Sequence, residues 1–128
     1  MHAASTLTDL IATRRPTIAR LRVYRIPTST LTLIAVSPAT IEQFKDVAIE
    51  TIDDAPAIAA ALDAVVASVP QAEDRPLDVR TALIFETSAG ERALRVYQGR
   101  FASQGQIDET PCRFEELALH DWLRTRFA

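Results

Sequence analysis

The sequence predicts an α+β fold: a mainly antiparallel sheet of about five or six strands, with helices packed on one face, in a single domain over residues 1–128. Three observations predict it. Leu77, Val79, Thr81, Leu83, Phe85 and Thr87 alternate with Asp78, Arg80, Ala82, Ile84 and Glu86, the period of two of a strand with one face on a core. Ser88–Glu91 supplies a turn in which Gly90 is best able to take a positive φ, and Leu94 and Val96 alternate with Arg95 and Tyr97 on the return. Ile58, Leu62, Val65, Val66 and Val69 recur at helical spacing. Clustered hairpins with helices at either side favour a segregated α+β design over alternating βαβ units.

The elements follow in the order α-β-β-α-β-α-β-β-β-α. Thr6 is placed to cap the first helix, with Asp9 near its positive end, and Leu7, Leu10 and Ile11 share a face before Arg14-Arg15-Pro16 closes it. A strand at Thr17–Ile26 sets Ala19, Leu21 and Val23 against Arg20, Arg22 and Tyr24. After a turn at Pro27–Thr30, the apolar run Leu31–Val36 returns as its hairpin partner, shielded on both faces. Ser37-Pro38 starts a short helix to Lys45 that anchors through Ile41 and Phe44. Val47–Ile52 is a further strand, open to parallel pairing because it lies between helices.

Asp53-Asp54 then opens the best-marked helix, which Pro70 stops. Its other face is rich in alanine (Ala57, Ala60, Ala61, Ala64, Ala67), which high helix propensity explains. Gln71–Pro76 reads as a polar loop, the meander occupies residues 77–107, and Asp108–Pro111 breaks it. A terminal helix over Arg113–Phe127 anchors through Phe114, Leu117, Ala118, Trp122 and Leu123.

Composition limits the possible functions. The chain has 128 residues, 48% hydrophobic but only 6% aromatic, so its core is aliphatic. One cysteine, Cys112, excludes an intrachain disulfide and a cysteine-only metal site. No apolar run approaches the roughly 20 residues of a membrane span. The first residues lack the basic start, apolar centre and cleavage site of a secretory leader, which predicts a cytoplasmic location. The net charge of −3 argues against general nucleic-acid binding, whose affinity comes from neutralising phosphates. Charge is nonetheless uneven. Arg14, Arg15, Arg20, Arg22 and Arg25 face only Asp9 in residues 1–26, whereas residues 42–91 carry eleven acids against Lys45, Arg75 and Arg80.

Motifs for catalysis are missing. Gly90, Gly99 and Gly105 are the only glycines and form no phosphate loop or dinucleotide fingerprint. Neither a G-x-S-x-G elbow nor a His-Glu-x-x-His helix is present, and two histidines, His2 and His120, do not make a histidine-rich metal centre. Cys112, His120 and Asp121 invite comparison with a thiol triad. Adjacent helical residues, however, point about 100° apart, so Asp121 is poorly placed to orient the imidazole, and a structural cysteine fits better. The acid pairs Asp53-Asp54, Asp108-Glu109 and Glu115-Glu116 precede predicted helices, where carboxylates cap free N–H groups. Arg20, Arg22 and Arg25 form the best anion-binding patch, although alternating arginine on a strand is also an ordinary solvent face.

No catalytic residue, cofactor or metal is therefore expected. In overall character, though by no motif, the chain resembles small bacterial immunity and inhibitor proteins. That resemblance implies a non-enzymatic module that covers the basic active surface of a toxin such as a nuclease. Glu42, Asp46, Glu50, Asp63, Glu73 and Asp74 are the expected partner-binding residues. The alternative is a small-molecule sensor or small enzyme with a pocket between sheet and helices, for which Tyr24, Tyr97, Arg95 and His120 are the polar candidates. A third reading is a subunit that pairs with itself through the alanine-rich helix or an open sheet edge.

Overall fold

The computed structural model describes residues 3–27 and 35–127. It contains three α-helices, α1 (Ala3–Arg14), α2 (Ala55–Ala67) and α3 (Ala118–Arg126), and seven strands. The strands are β1 (Arg20–Arg25), β2 (Ala48–Ile52), β3 (Pro70–Ala72), β4 (Val79–Glu86), β5 (Arg92–Gly99), β6 (Gln104–Ile107) and β7 (Thr110–Phe114). They form one sheet in the order β2-β1-β4-β5-β6-β7-β3, antiparallel throughout. The α+β class is as the sequence predicts, with more strands than expected.

The strand period explains why the helices lie where they do. Successive side chains alternate between sheet faces, and residues directly opposite on neighbouring strands share a face. Leu21 pairs with Phe85 and Phe85 with Leu94, while Val23 pairs with Leu83 and Leu83 with Val96. These six side chains make two apolar rows across the three central strands, each at most 1% exposed. Leu7 and Ile11 of α1, Ile58, Ala61, Leu62 and Val65 of α2, and Leu119 and Leu123 of α3 cluster on them. All three helices thus cover one face.

The opposite face carries a second, smaller core of Tyr24, Ile26, Val36, Ile41, Val79, Ala82, Ile84 and Tyr97. The segment around Val36–Val47 closes over it, with Phe44 and Val47 packed at its margin. β4 is consequently enclosed on both sides, and only Arg80 among its eight residues is not buried.

Several local expectations are corrected. α1 begins at Ala3, so Thr6 lies inside the helix instead of capping it. The run Leu31–Val36 falls largely on residues 28–34, outside the described residues; β1 pairs with β2 and β4, and Val36 is not in a strand. In place of a helix to Lys45 there is a short 3₁₀ turn, Ile41–Gln43. β2 pairs antiparallel, not parallel. The polar loop after α2 begins with β3, an edge strand where proline is tolerated. The supposed break at Asp108–Pro111 is a tight turn into β7, with Asp108 at φ 50° and its carboxylate accepting the Arg95 N–H at 3.0 Å. The terminal helix is correspondingly shorter, because 110–114 is strand.

Two junctions follow the sequence signals. Asp54 caps α2 by accepting the Ala57 N–H at 3.1 Å, with Pro56 in the first turn. Gly90 takes φ +85° in the β4–β5 turn. At the other end of α2, Ser68 is fully buried: its hydroxyl donates to the Ala64 carbonyl and accepts the Leu119 N–H, both at 2.8 Å. The Glu116 N–H also donates to the Ser68 carbonyl at 3.0 Å. Ser68 thus fixes the start of α3 against the end of α2, and that placement determines what α3 presents beyond the sheet.

A candidate anion pocket beneath the C-terminal helix

Beyond the two apolar rows, the third row of the same face is polar. Arg25 pairs with Thr81 and Thr81 with Gln98, one strand period past Val23, Leu83 and Val96. The helix-facing side of the sheet therefore ends in Arg25, Thr81 and Gln98. Next to them the β4–β5 register slips between Val79 and Thr81, leaving Arg80 as the extra residue. Such a bulge re-aims the side chain it carries.

α3 roofs this row. His120, Leu123, Arg124 and Phe127 recur at spacings of three, one and three, a single helical face. With Ile26, Pro27, Gly99, Arg100 and Ala102 they complete a cavity of about 440 Å³. The floor and one side are polar, and Pro27, Leu123 and Phe127 supply an apolar wall.

Four arginines line the cavity: Arg25, Arg80, Arg100 and Arg124. Arg80 is bound to Asp78 at 2.8 Å. Burial works against ionisation of Asp78. The Val36 N–H, the Arg80 hydrogen bond and charge, and the Arg100 charge outweigh it, holding the carboxyl below its ordinary pKa. Arg25 lies over the Phe127 ring, 4.1 Å from its centroid, within cation–π range. Trp122 meets the same ring edge-on at 6.2 Å, so both aromatics hold the end of α3. Arg100 stands 6.0 Å from the ring of Phe101, which is 62% exposed beside it.

The ion-pair pattern across the molecule separates these residues from the rest. Lys45 is the one lysine among 14 basic residues, leaving thirteen arginines. Among the described residues ten of them contact a carboxylate. Arg25, Arg100 and Arg124 do not, and all three line this one cavity. In a chain with more acids than bases, three arginines that make no ion pair among the described residues line one cavity.

The six acids expected to bind a partner are not brought together. Glu42 forms a bidentate pair with Arg92, 2.7 Å at the longer contact, which raises the Arg92 pKa. Asp63 on α2 takes Arg15 at 2.7 Å. Glu50 on β2 meets Arg126 at 3.6 Å, and Glu73 after β3 meets Arg75 and Arg113 at 3.4 and 3.5 Å. β2 and β3 are opposite edges of the sheet, so Glu50 and Glu73 stand six strand spacings apart, roughly 29 Å. Asp46 and Asp74 are exposed in separate loops.

The three arginines expected to form one patch are also divided. Arg20 and Arg22 flank Glu86, at 3.6 and 3.4 Å, on the sheet face away from the helices. Arg25 alone, at an odd position in β1, points to the helix face and the cavity. Of the other polar candidates, His120 lines the cavity. Tyr24 and Tyr97 belong to the second core, where burial raises the Tyr97 pKa, and Arg95 pairs with Asp108 and Glu109.

Cys112 is 1% exposed in the helix-side core, and burial pushes its thiol pKa up to about 12. It stays protonated at neutral pH, the opposite of an activated nucleophile. Among the described residues no group of three His, Cys, Asp or Glu is placed to hold a metal ion, and no helix is long and apolar enough to cross a membrane. Comparisons with protein-family models, curated proteins and solved structures give no match.

Sequence reasoning missed Arg80, Arg100, Arg124, Thr81 and Gln98 as site residues. The α3 spacing and the parity of Arg25 against Arg20 and Arg22 were the available signals. The bulge at Arg80 leaves no such trace.

Proposed function

We propose that the chain is a binding protein for a small anionic ligand, held between the ends of β1, β4 and β5 and the underside of α3. The observation that carries this reading is that Arg25, Arg100 and Arg124, none of which contacts a carboxylate among the described residues, line one cavity. Guanidinium groups recognise oxyanions through paired, charge-assisted N–H donors, each such hydrogen bond worth about 1.5–3 kcal/mol net. Phe127 holds Arg25 in advance, which lowers the ordering cost of binding. Among the described residues the lining contains one imidazole and no carboxylate or thiol, so it is equipped to hold an anion and poorly equipped to attack one. Binding without turnover is the simplest activity for it.

The role of a toxin inhibitor, acting through an acidic face in the cytoplasm, takes second place. Its six acids are dispersed and four of them are already engaged by arginines.

Isothermal calorimetry with inorganic phosphate at low ionic strength tests the proposal. Two or three guanidinium contacts, less the cost of association, predict a Kd on the order of 0.1–1 mM, weakening as chloride is added. Absence of heat at millimolar phosphate in low salt would remove the proposal.

A further inference from the structure

We infer that the ligand is a small organic phosphate monoester, with its phosphoryl group among the arginines and an apolar or ring-bearing body against Pro27, Leu123 and Phe127. This rests on the anion-pocket reading and adds the class of ligand to it. Three features of the cavity carry it.

The first is charge. With Arg80 bound to Asp78, three guanidiniums that contact no carboxylate among the described residues remain in the lining with the His120 imidazole. A carboxylate brings one negative charge. A phosphate monoester brings about −1.5 to −2 at neutral pH, because its second pKa is near 6.

The second is direction. The three free arginines arrive from separate elements: Arg25 from the end of β1, Arg100 from the β5–β6 turn and Arg124 from α3. A planar carboxylate offers two oxygens in one plane. A phosphoryl group offers three, spread tetrahedrally, and is accessible to donors from several sides at once.

The third is size and polarity. The cavity of about 440 Å³ falls in the range of about 300–1,000 Å³ that takes a small organic molecule. Bare phosphate fills only a fraction of it and leaves the apolar wall wet. Covering that wall with an attached hydrocarbon or ring removes apolar surface from water and adds affinity that inorganic phosphate lacks.

Calorimetry with phenyl phosphate, inorganic phosphate and benzoate, at pH 7.5 and low salt, separates these contributions. Phenyl phosphate is expected to bind at least tenfold more tightly than either of the others. Arg124→Gln is expected to weaken phenyl phosphate at least fivefold, and Arg126→Gln, on the same helix but outside the cavity, less than twofold. Pro27→Ser, at an exposed residue of the apolar wall, should weaken phenyl phosphate and spare inorganic phosphate. Equal binding of benzoate and phenyl phosphate would overturn the phosphate assignment while leaving an anion pocket. Equal binding of inorganic phosphate and phenyl phosphate would overturn the organic body. If none of the three binds, the anion pocket itself fails.

Discussion

Reversing the charge at Arg100 and Arg124 together, as Arg100→Glu with Arg124→Glu, is expected to abolish measurable phosphate binding and to leave the fold intact. Both side chains are exposed and neither contacts a carboxylate among the described residues, so their replacement strands no buried charge. Their loss removes two charge-assisted contacts at about 1.5–3 kcal/mol each, and a factor of ten corresponds to about 1.4 kcal/mol. That alone weakens binding by roughly a hundredfold or more. The two new carboxylates also supply a partner for Arg25, so the cavity loses its net positive charge. Calorimetry reads the binding and a thermal melt reads the fold. A double variant that melts like the parent and still binds phosphate as tightly would mean that the anion sits elsewhere.

Phe85→Ala is expected to cost about 3–5 kcal/mol of stability and to lower Tm by roughly 10–20 °C. Phe85 is fully buried within an apolar row, between Leu21 and Leu94, with the helix-side cluster above it. β4 has strands on both sides and packed layers on both faces, which leaves the structure little room to collapse into the space the ring vacates. The loss therefore includes the cavity as well as the transfer of the ring. Urea unfolding followed by circular dichroism measures it. A loss below about 1 kcal/mol would mean that β4 is not the centre of the core.

The contrast between these two residues shows what the sequence carried. Phe85 was legible because burial leaves a local signature: its alternation with Thr81 and Leu83 fixes the face, whereas the bulge at Arg80 turns Val79, expected on the same face, into the second core. α2 was legible for the same kind of reason, with Asp54 and Pro56 marking its start and a helical apolar stripe marking its face. β4 was half legible. Its second buried face needed Ala82 and Ile84 to be read as core residues, and what covers them, Ile41 and Val36, comes from about forty residues earlier. β3 and β7 were obscured by Pro70 and Pro111, which are strong turn signals in isolation and are accommodated here within strands.

The pocket was the least legible part, and the reason is also physical. A guanidinium's partner is set by tertiary contact. Nothing local distinguishes Arg22, which meets Glu86 from two strand residues away across the sheet, from Arg25, which meets an aromatic ring 102 positions along the chain. Counting charges by segment placed Arg20, Arg22 and Arg25 in one patch and the acids of residues 42–91 in another. Folding paired many of these groups across segments and left the arginines that contact no carboxylate among the described residues at a site that no segment owns.

Arginine side-chain N–H signals, followed by NMR through a phosphate titration at low ionic strength, test the central claim most directly. The account predicts that Arg25, Arg100 and Arg124 shift together along one saturating curve, while Arg20, Arg22 and Arg126 stay in place. No movement of those three signals, or an equal drift of all thirteen arginines, would contradict it.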